Sequence, residues 1–169
     1  MIKTILAVDY YGNMGYNGSL PWPRNAEDMA LFQKLTHKHV VVMGRKTWDD
    51  PKMPKPLTER TVYVATNRAT MHASTISGDI KAQVLQLEKR HQSQTIWVIG
   101  GPEIILSCQE LYEEVHVSHF AGAYRSDTKI DMNILLRGMG VKQATSIPGN
   151  PATFVRYEPL FRRSPNHSE

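Results

Sequence analysis

Short, continuously apolar segments alternate along the chain with segments whose apolar residues recur every three or four positions. The first pattern suits strands buried on both faces of a parallel sheet; the second suits helices packed by one side. Residues 2–8 read as a strand. A glycine-rich loop (Gly12, Gly15, Gly18) follows and closes on Leu20-Pro21-Trp22-Pro23. Asn25 is the expected N-cap of a helix reaching about residue 37, with Met29, Leu31, Phe32 and Leu35 at helical spacing. Residues 40–43 predict a short buried strand, and 45–50 a short helix. A proline-rich loop at 51–56 leads to strands at 60–65 and 75–77. Asp79 caps a helix to residue 91, with Ile80, Val84 and Leu87 facing inward. A buried strand at 96–99 runs through Gly100-Gly101-Pro102 into a helix to about 112, and 114–119 is a further strand. From about 141 to 160 two strands are joined by Pro148-Gly149-Asn150-Pro151, a strong turn signal. This is the alternation of a single α/β domain, with residues 162–169 as a frayed polar tail.

Composition narrows this picture only modestly. A chain of 169 residues, 41% hydrophobic and 21% charged, has the balance of a soluble globular domain. No apolar run approaches the roughly 20 residues that span a bilayer, so no membrane association is expected. The N-terminal apolar stretch is too short for a signal sequence and is read as the first strand. One cysteine, Cys108, forms no internal disulfide, which fits a reducing cytoplasm. The net charge of +4 suits nucleic acid or small anions equally. Because the basic residues are scattered, with only Arg162-Arg163 adjacent near the end, no nucleic-acid partner is expected.

Four segments carry candidate chemistry. In VVVMGRKT (40–47) a strand empties through Gly44 into a helix start bearing Arg45, Lys46 and Thr47: a phosphate site, or a plain strand–helix turn with solvated cations. In IWVIGGPEII (96–105) two glycines let backbone approach a ligand, and Pro102 suits a first helical turn. The loop through Gly12, Gly15 and Gly18 is either a lid anchored by Trp22 or an ordinary surface loop. Asp28 lies on a mostly apolar helix face. It either completes a cap with Asn25 or is a buried carboxylate that binds a heterocycle's N–H groups with a raised pKa. His37/His39 and His116/His119 have ligand-like spacing but no third ligand nearby in sequence, so no metal is expected.

Taken in order, these segments resemble the dihydrofolate reductase family over nearly the whole chain. The resemblance is carried by AVD at 7–9, LPW at 20–22, Asp28 with Phe32 and Thr36, MGRKTW at 43–48, PLxxR at 56–60 and IGG at 99–101. It implies a mostly parallel eight-stranded sheet with an antiparallel C-terminal strand, flanked by about four helices, with an adenosine-binding subdomain at about 39–95. It implies hydride transfer from C4 of NADPH to pterin C6 of dihydrofolate, with protonation at N5, by a monomeric cytoplasmic enzyme that also binds antifolates such as methotrexate. Asp28 then resembles the acid that holds the pterin. The N5 proton comes from water admitted beside it rather than from Asp28 directly, because Asp28 is expected to face the opposite ring edge. Trp22 would hold that water, and Ser118 would support Asp28. Ala7, Met29, Phe32 and Leu57 would line the pocket, Thr36 would join the Asp28 network, and Arg60 would clamp the substrate's α-carboxylate. Gly15 and Leu20 of the lid, together with Ala7, Gly44, Arg45, Lys46, Thr47, Thr66, Asn67, Arg68, Ile99, Gly100, Gly101, Glu103 and Ile104, would contact NADPH. The glycine pair is often joined by a cis peptide in the family, and Asp127 would latch the lid.

The sequence departs from the family pattern in three places. Ile105 stands where many relatives carry tyrosine, Asp49-Asp50 introduces two acids offset by Lys52 and Lys55, and the loop 51–56 is longer. Two rival readings are a reductase of a riboflavin precursor, which would not need Asp28, Arg60 and LPW together, and a folate- or nucleotide-binding protein with little catalysis.

Overall fold

The computed structural model describes residues 1–161. The expected frayed tail at 162–169 lies outside the described residues. In chain order the elements are β1 (Ile2–Val8), β2 (Asn13–Gly15), α1 (Ala26–Thr36), β3 (Val40–Gly44), α2 (Arg45–Trp48), β4 (Thr61–Ala65), β5 (Ser74–Ile76) and α3 (Ile80–Arg90). Then come β6 (Ile96–Gly100), α4 (Pro102–Ser107), β7 (Glu114–Phe120), β8 (Thr128–Lys129), α5 (Met132–Leu135), β9 (Met139–Ser146) and β10 (Ala152–Pro159). Eight strands form one sheet in the order β5-β4-β3-β6-β1-β7-β10-β9. Only β10 runs against its neighbours, antiparallel to both β7 and β9. The fold is therefore the expected mixed α/β sheet, with five short helices where about four were anticipated.

Alternation along the central strands divides the core. On β3, Val40 and Val42 join one cluster with Ile2, Leu6, Val98 and residues of α3 and α4, whereas Val41 and Met43 join another with Trp48, Leu57, Val62 and Val64. Successive side chains on a strand point to opposite faces, so a fully apolar strand implies cover on both. α1 contributes only Thr36 as a fully buried residue. Its apolar side faces a cleft rather than a packed interior, which explains why a helix with clear apolar spacing buries so little.

Local signals set most boundaries. Asn25 Oδ1 accepts the Asp28 N–H at 3.0 Å, and Asp79 Oδ1 accepts that of Ala82 at 3.1 Å, capping α1 and α3. The helix expected to reach residue 112 stops sooner. α4 ends at Ser107 and a 3₁₀ turn spans Gln109–Leu111. The Ile105 carbonyl there accepts the Tyr112 hydroxyl at 2.6 Å, drawing the chain out of α-helical register. The sequence reading also passed over α5 and the two-stranded ribbon of β2 and β8.

The histidines on β7 point to opposite faces and have protein partners. His119 Nε2 lies 2.9 Å from the Tyr157 hydroxyl, and His116 Nε2 lies 2.7 Å from Glu114 Oε1. Lys3 Nζ sits 3.0 Å from Glu114 Oε2. The His116 hydrogen bond, reinforced by Lys3 against the cost of burial, holds the Glu114 carboxyl down to about 2. A lowered acid stabilises the fold above its unfolded-state pKa and loses that contribution as pH falls through the folded value. Glu114→Gln should therefore cost on the order of 2 kcal/mol at neutral pH. Urea unfolding should show that gap narrowing between about pH 4.5 and pH 2. A gap independent of pH would show that the ion cluster is not its source.

Candidate active site

A cleft of about 700 Å³ opens over the carboxyl-terminal half of β1 and β6, with α1 as one wall. Ligands of open α/β sheets settle at the carboxyl ends of strands. Ile5, Ala7 and Ile99 form its floor, Asp28, Met29 and Phe32 its helical wall, Thr47, Met53 and Leu57 the facing wall, and Leu20 and Trp22 the end of the glycine-rich loop. Arg60 lies at the mouth with Lys52, His37 and Glu59.

Asp28 is the chemically distinctive group. Asn25 caps its backbone N–H, but the Asp28 side chain does not reach back to the cap; instead Oδ1 accepts the Ser118 hydroxyl at 2.5 Å. The side chain thus sits half-buried against Ser118 rather than in the cap. Burial raises its pKa, while the Ser118 bond opposes the rise. Ser118 faces the cleft because Ala7 and Phe154 are its neighbours across β1 and β10. Trp22 is buried, stacked on Phe120 at 4.3 Å and edge-on to Tyr124 at 5.6 Å. Its Nε1 has no protein partner among the described residues.

Thr36 departs from expectation. Its hydroxyl does not join the Asp28 network; it donates to the Phe32 carbonyl at 2.8 Å and accepts from Arg60 Nε at 2.8 Å. A threonine in the last turn of a helix can bond back four residues, and that bond turns its remaining lone pair toward Arg60. Arg60 is steadied further by the Thr58 carbonyl at 3.3 Å and by the Phe32 ring, 5.8 Å from Cζ.

A second region adjoins the cleft. Gly44 and Gly100-Gly101 end the neighbouring strands β3 and β6, and Gly100-Gly101 is a cis peptide. A Cβ on Gly100 would come within 2.8 Å of Thr47 Oγ1, and one on Gly44 within 2.9 Å of Ile104 Cδ1. At Gly100, with φ 154°, only glycine fits readily, whereas a Cβ on Gly101 would meet nothing within 4 Å. Lys46 and Glu103 are exposed beside it. Arg45 is held by Asp49, with Nε 3.1 Å from Oδ2, so Asp49 turns toward Arg45 while Asp50 lines the cleft. Beyond β4, Thr66 Oγ1 accepts the Arg68 N–H at 3.2 Å, and Asn67 and Arg68 are exposed. Ile105, where tyrosine was the alternative, is fully buried in the core.

The glycine-rich loop is latched. Gly15 O accepts from Asp127 N at 2.9 Å and from Ser126 Oγ at 2.8 Å, and Asp127 Oδ2 accepts from Asn17 N at 2.9 Å. Below the latch, buried Asp9 accepts from Tyr11 N, Asn13 N, Asn13 Nδ2 and Tyr124 N, tying the base of this loop to the segment that carries Asp127. Sequence reasoning missed Ile5, Met53 and the lining role of Asn25; of these only Asn25 carried a local signal, its capping position.

A glycine-walled shelf at the ends of adjacent parallel strands, beside a cleft whose helical wall presents a half-buried carboxylate and whose mouth carries cations, has the form of an α/β enzyme site for a small anionic heterocycle. The dihydrofolate reductase family model matches residues 1–134. Curated relatives include dihydrofolate reductase type 8 of Escherichia coli, 28% identical across 78% of this chain and 80% of that protein. The dihydrofolate reductase of Mycobacterium tuberculosis is 38% identical across 62% of each chain, and that of Gallus gallus 25% identical across 89% of this chain and 87% of its own. The chain belongs to the dihydrofolate reductase family. The family's reaction is reduction of dihydrofolate to tetrahydrofolate with a nicotinamide cofactor.

The Ser118 bond favours the ionised form of Asp28, so Ser118→Ala should raise the Asp28 pKa further. Carbon-13 NMR titration of the Asp28 carboxyl reads this directly. A value unchanged or lowered would remove Ser118 from the electrostatics of the site.

Proposed function

We propose that this protein reduces 7,8-dihydrofolate to 5,6,7,8-tetrahydrofolate with NADPH as hydride donor, acting as a cytoplasmic monomer. The observation that carries the reading is Asp28, a half-buried carboxylate held by Ser118 on the helical wall of the cleft beside Ala7, Met29 and Phe32, with Arg60 at the mouth. A pterin ring suits this wall: its 2-amino group and adjacent ring N–H are paired donors, and an ionised carboxylate accepts both. Ala7, Met29, Phe32 and Leu57 sandwich the ring and its aminobenzoyl extension, and Arg60 takes the glutamate carboxylate. Because Asp28 holds one ring edge, it does not deliver the N5 proton itself. Trp22, whose buried Nε1 has no protein partner among the described residues, would hold the water that does.

The glycine shelf fits a dinucleotide, since a Cβ at Gly44 or Gly100 would strike its neighbours and fill the shelf. When bound there, NADPH supplies the hydride that reaches pterin C6. Gly44, Gly100, Gly101 and Thr47 would hold its pyrophosphate and nicotinamide side, with Ile99, Glu103 and Ile104 alongside. Arg45, Lys46, Thr66, Asn67 and Arg68 would take the adenosine end, within a subdomain spanning about 39–95. Gly15 and Leu20 would close over the nicotinamide and exclude water. Antifolates such as methotrexate would compete for Asp28 through the same paired donors.

The test follows NADPH absorbance with dihydrofolate added. Native protein should turn over, and Asp28→Asn should lose on the order of 10²–10⁴ in kcat/KM while still binding NADPH. Binding of NADPH without dihydrofolate turnover would overturn the substrate and move attention to a riboflavin precursor. For the cofactor, Arg68→Ala should raise the KM for NADPH about tenfold and leave that for NADH nearly unchanged, a loss of about 1.4 kcal/mol at the 2′-phosphate.

A further inference from the structure

The β9–β10 turn reaches the helix that bears Asp28. Asn150, in the Pro148-Gly149-Asn150-Pro151 turn, exchanges amide bonds with Asn25: Asn25 Nδ2 donates to Asn150 Oδ1 at 2.8 Å, and Asn150 Nδ2 donates to Asn25 Oδ1 at 3.3 Å. Asn150 Nδ2 also reaches Glu27 Oε2 at 3.2 Å, and Asn150 Oδ1 accepts the Ala152 N–H at 2.9 Å. Asn25 Oδ1 is the same atom that caps the Asp28 N–H. One amide of the hairpin thus grips the first turn of α1 at both its N-cap and its first acidic residue.

The geometry matters because the hairpin also holds the other partner of the carboxylate. β10 pairs with β7 so that Ala152 lies across from Phe120 and Phe154 from Ser118. Two residues beyond Asn150, Ala152 packs in the same cluster as Trp22 and Phe120. The strand that backs Ser118 and the turn that grips Asn25 are one continuous segment. The Asp28–Ser118 bond spans two elements, α1 and β7, whose contact is otherwise made across an open cleft.

We propose that Asn150 is a positioning residue for Asp28: its amide locks the N-cap of α1 to the hairpin and so fixes the carboxylate against Ser118. The role rests on the reading of Asp28 as the pterin-binding acid. It acts through Asn25, and Asn150 itself touches neither substrate nor cofactor. An amide serves here because one Asn side chain offers both an acceptor and two donors, enough to close a reciprocal pair and still reach Glu27.

Three variants separate the clamp from simple turn stability. Asn150→Ala removes every bond. Asn150→Asp keeps the oxygen that takes the Ala152 N–H and Asn25 Nδ2, but loses the donors to Asn25 Oδ1 and Glu27 and sets a charge near Glu27. Asn25→Ser keeps a capping oxygen for Asp28 N–H and loses the amide pair. Each should lower kcat/KM for dihydrofolate five- to tenfold with the KM for NADPH unchanged. Each should also raise the Asp28 titration midpoint in carboxyl carbon-13 NMR, in the direction of Ser118→Ala, because a carboxylate released from Ser118 loses the bond that holds its pKa down. Asn25→Ser with Asn150→Ala should do no more than either alone. Loss of melting temperature with the Asp28 midpoint and the dihydrofolate parameters unmoved would overturn the proposal, since a purely structural turn residue behaves that way. The NMR titration needs no turnover. An inactive native protein whose Asp28 midpoint still responds to Asn150 would refute the reaction and leave the clamp standing.

Discussion

The site depends on placing one carboxylate where water is scarce. The Asp28 carboxylate has a single hydrogen-bond partner among the described residues, the Ser118 hydroxyl, and burial raises its pKa in spite of that bond. A carboxylate so placed costs free energy unless the fold supplies a reason to keep it there, and a cationic or doubly donating ligand is such a reason. The fold meets the geometric demand from two directions. β7 delivers Ser118, itself buried, between Ala7 of β1 and Phe154 of β10. α1 delivers Asp28 from a capped first turn, before the helix becomes exposed on its outer side.

The loop over the cleft is held by a different logic. Its closing residue Trp22 packs on Phe120 and Tyr124, while Gly12 is buried at the base and Gly18 is exposed at the tip. The hydrogen bonds of Asp9 and Asp127 both join this loop to the segment 121–128, one at the base and one near the tip. A loop secured through a neighbouring loop moves as part of a pair. The Gly15 Cβ position shows how close the two run: it would lie 3.0 Å from Thr128 Cβ, so a side chain there would wedge them apart.

Much of this was legible in the sequence because the signals are local. Asn25 and Asp79 sit at their caps, the all-apolar strand 40–43 is central, and the turn at 148–151 joins antiparallel strands. What stayed hidden is made by residues far apart in the chain. The β2–β8 ribbon pairs three residues with two across more than a hundred positions, too short for any alternation to register. The partner of Thr36 could not be read because helical spacing places it near Asp28 as readily as near Arg60; the bond back to Phe32 decides between them. Asn150 read only as a turn residue, which it is, and nothing in four residues reveals that its amide meets Asn25.

Charge shows the same dependence on local pairing. The net +4 says only that anions are welcome. In the structure the cations around the cleft are not equivalent. Arg45 faces Asp49 one helical turn away, so an incoming phosphate must share it with a carboxylate. Glu59, next in sequence to Arg60, is drawn off by His37 at 3.3 Å. The hydrogen bonds of Arg60 go instead to neutral oxygens, the Thr36 hydroxyl and the Thr58 carbonyl, which fix its direction without cancelling its charge. Surface pairs such as Arg45–Asp49 are worth only a few tenths of a kcal/mol, so that cation can change partners cheaply. Arg60 needs no such exchange: it stands oriented and partly dehydrated at the mouth of the cleft, its charge eased by the exposed Glu59 carboxylate but hydrogen-bonded only to neutral oxygens, and its planar fork suits a carboxylate.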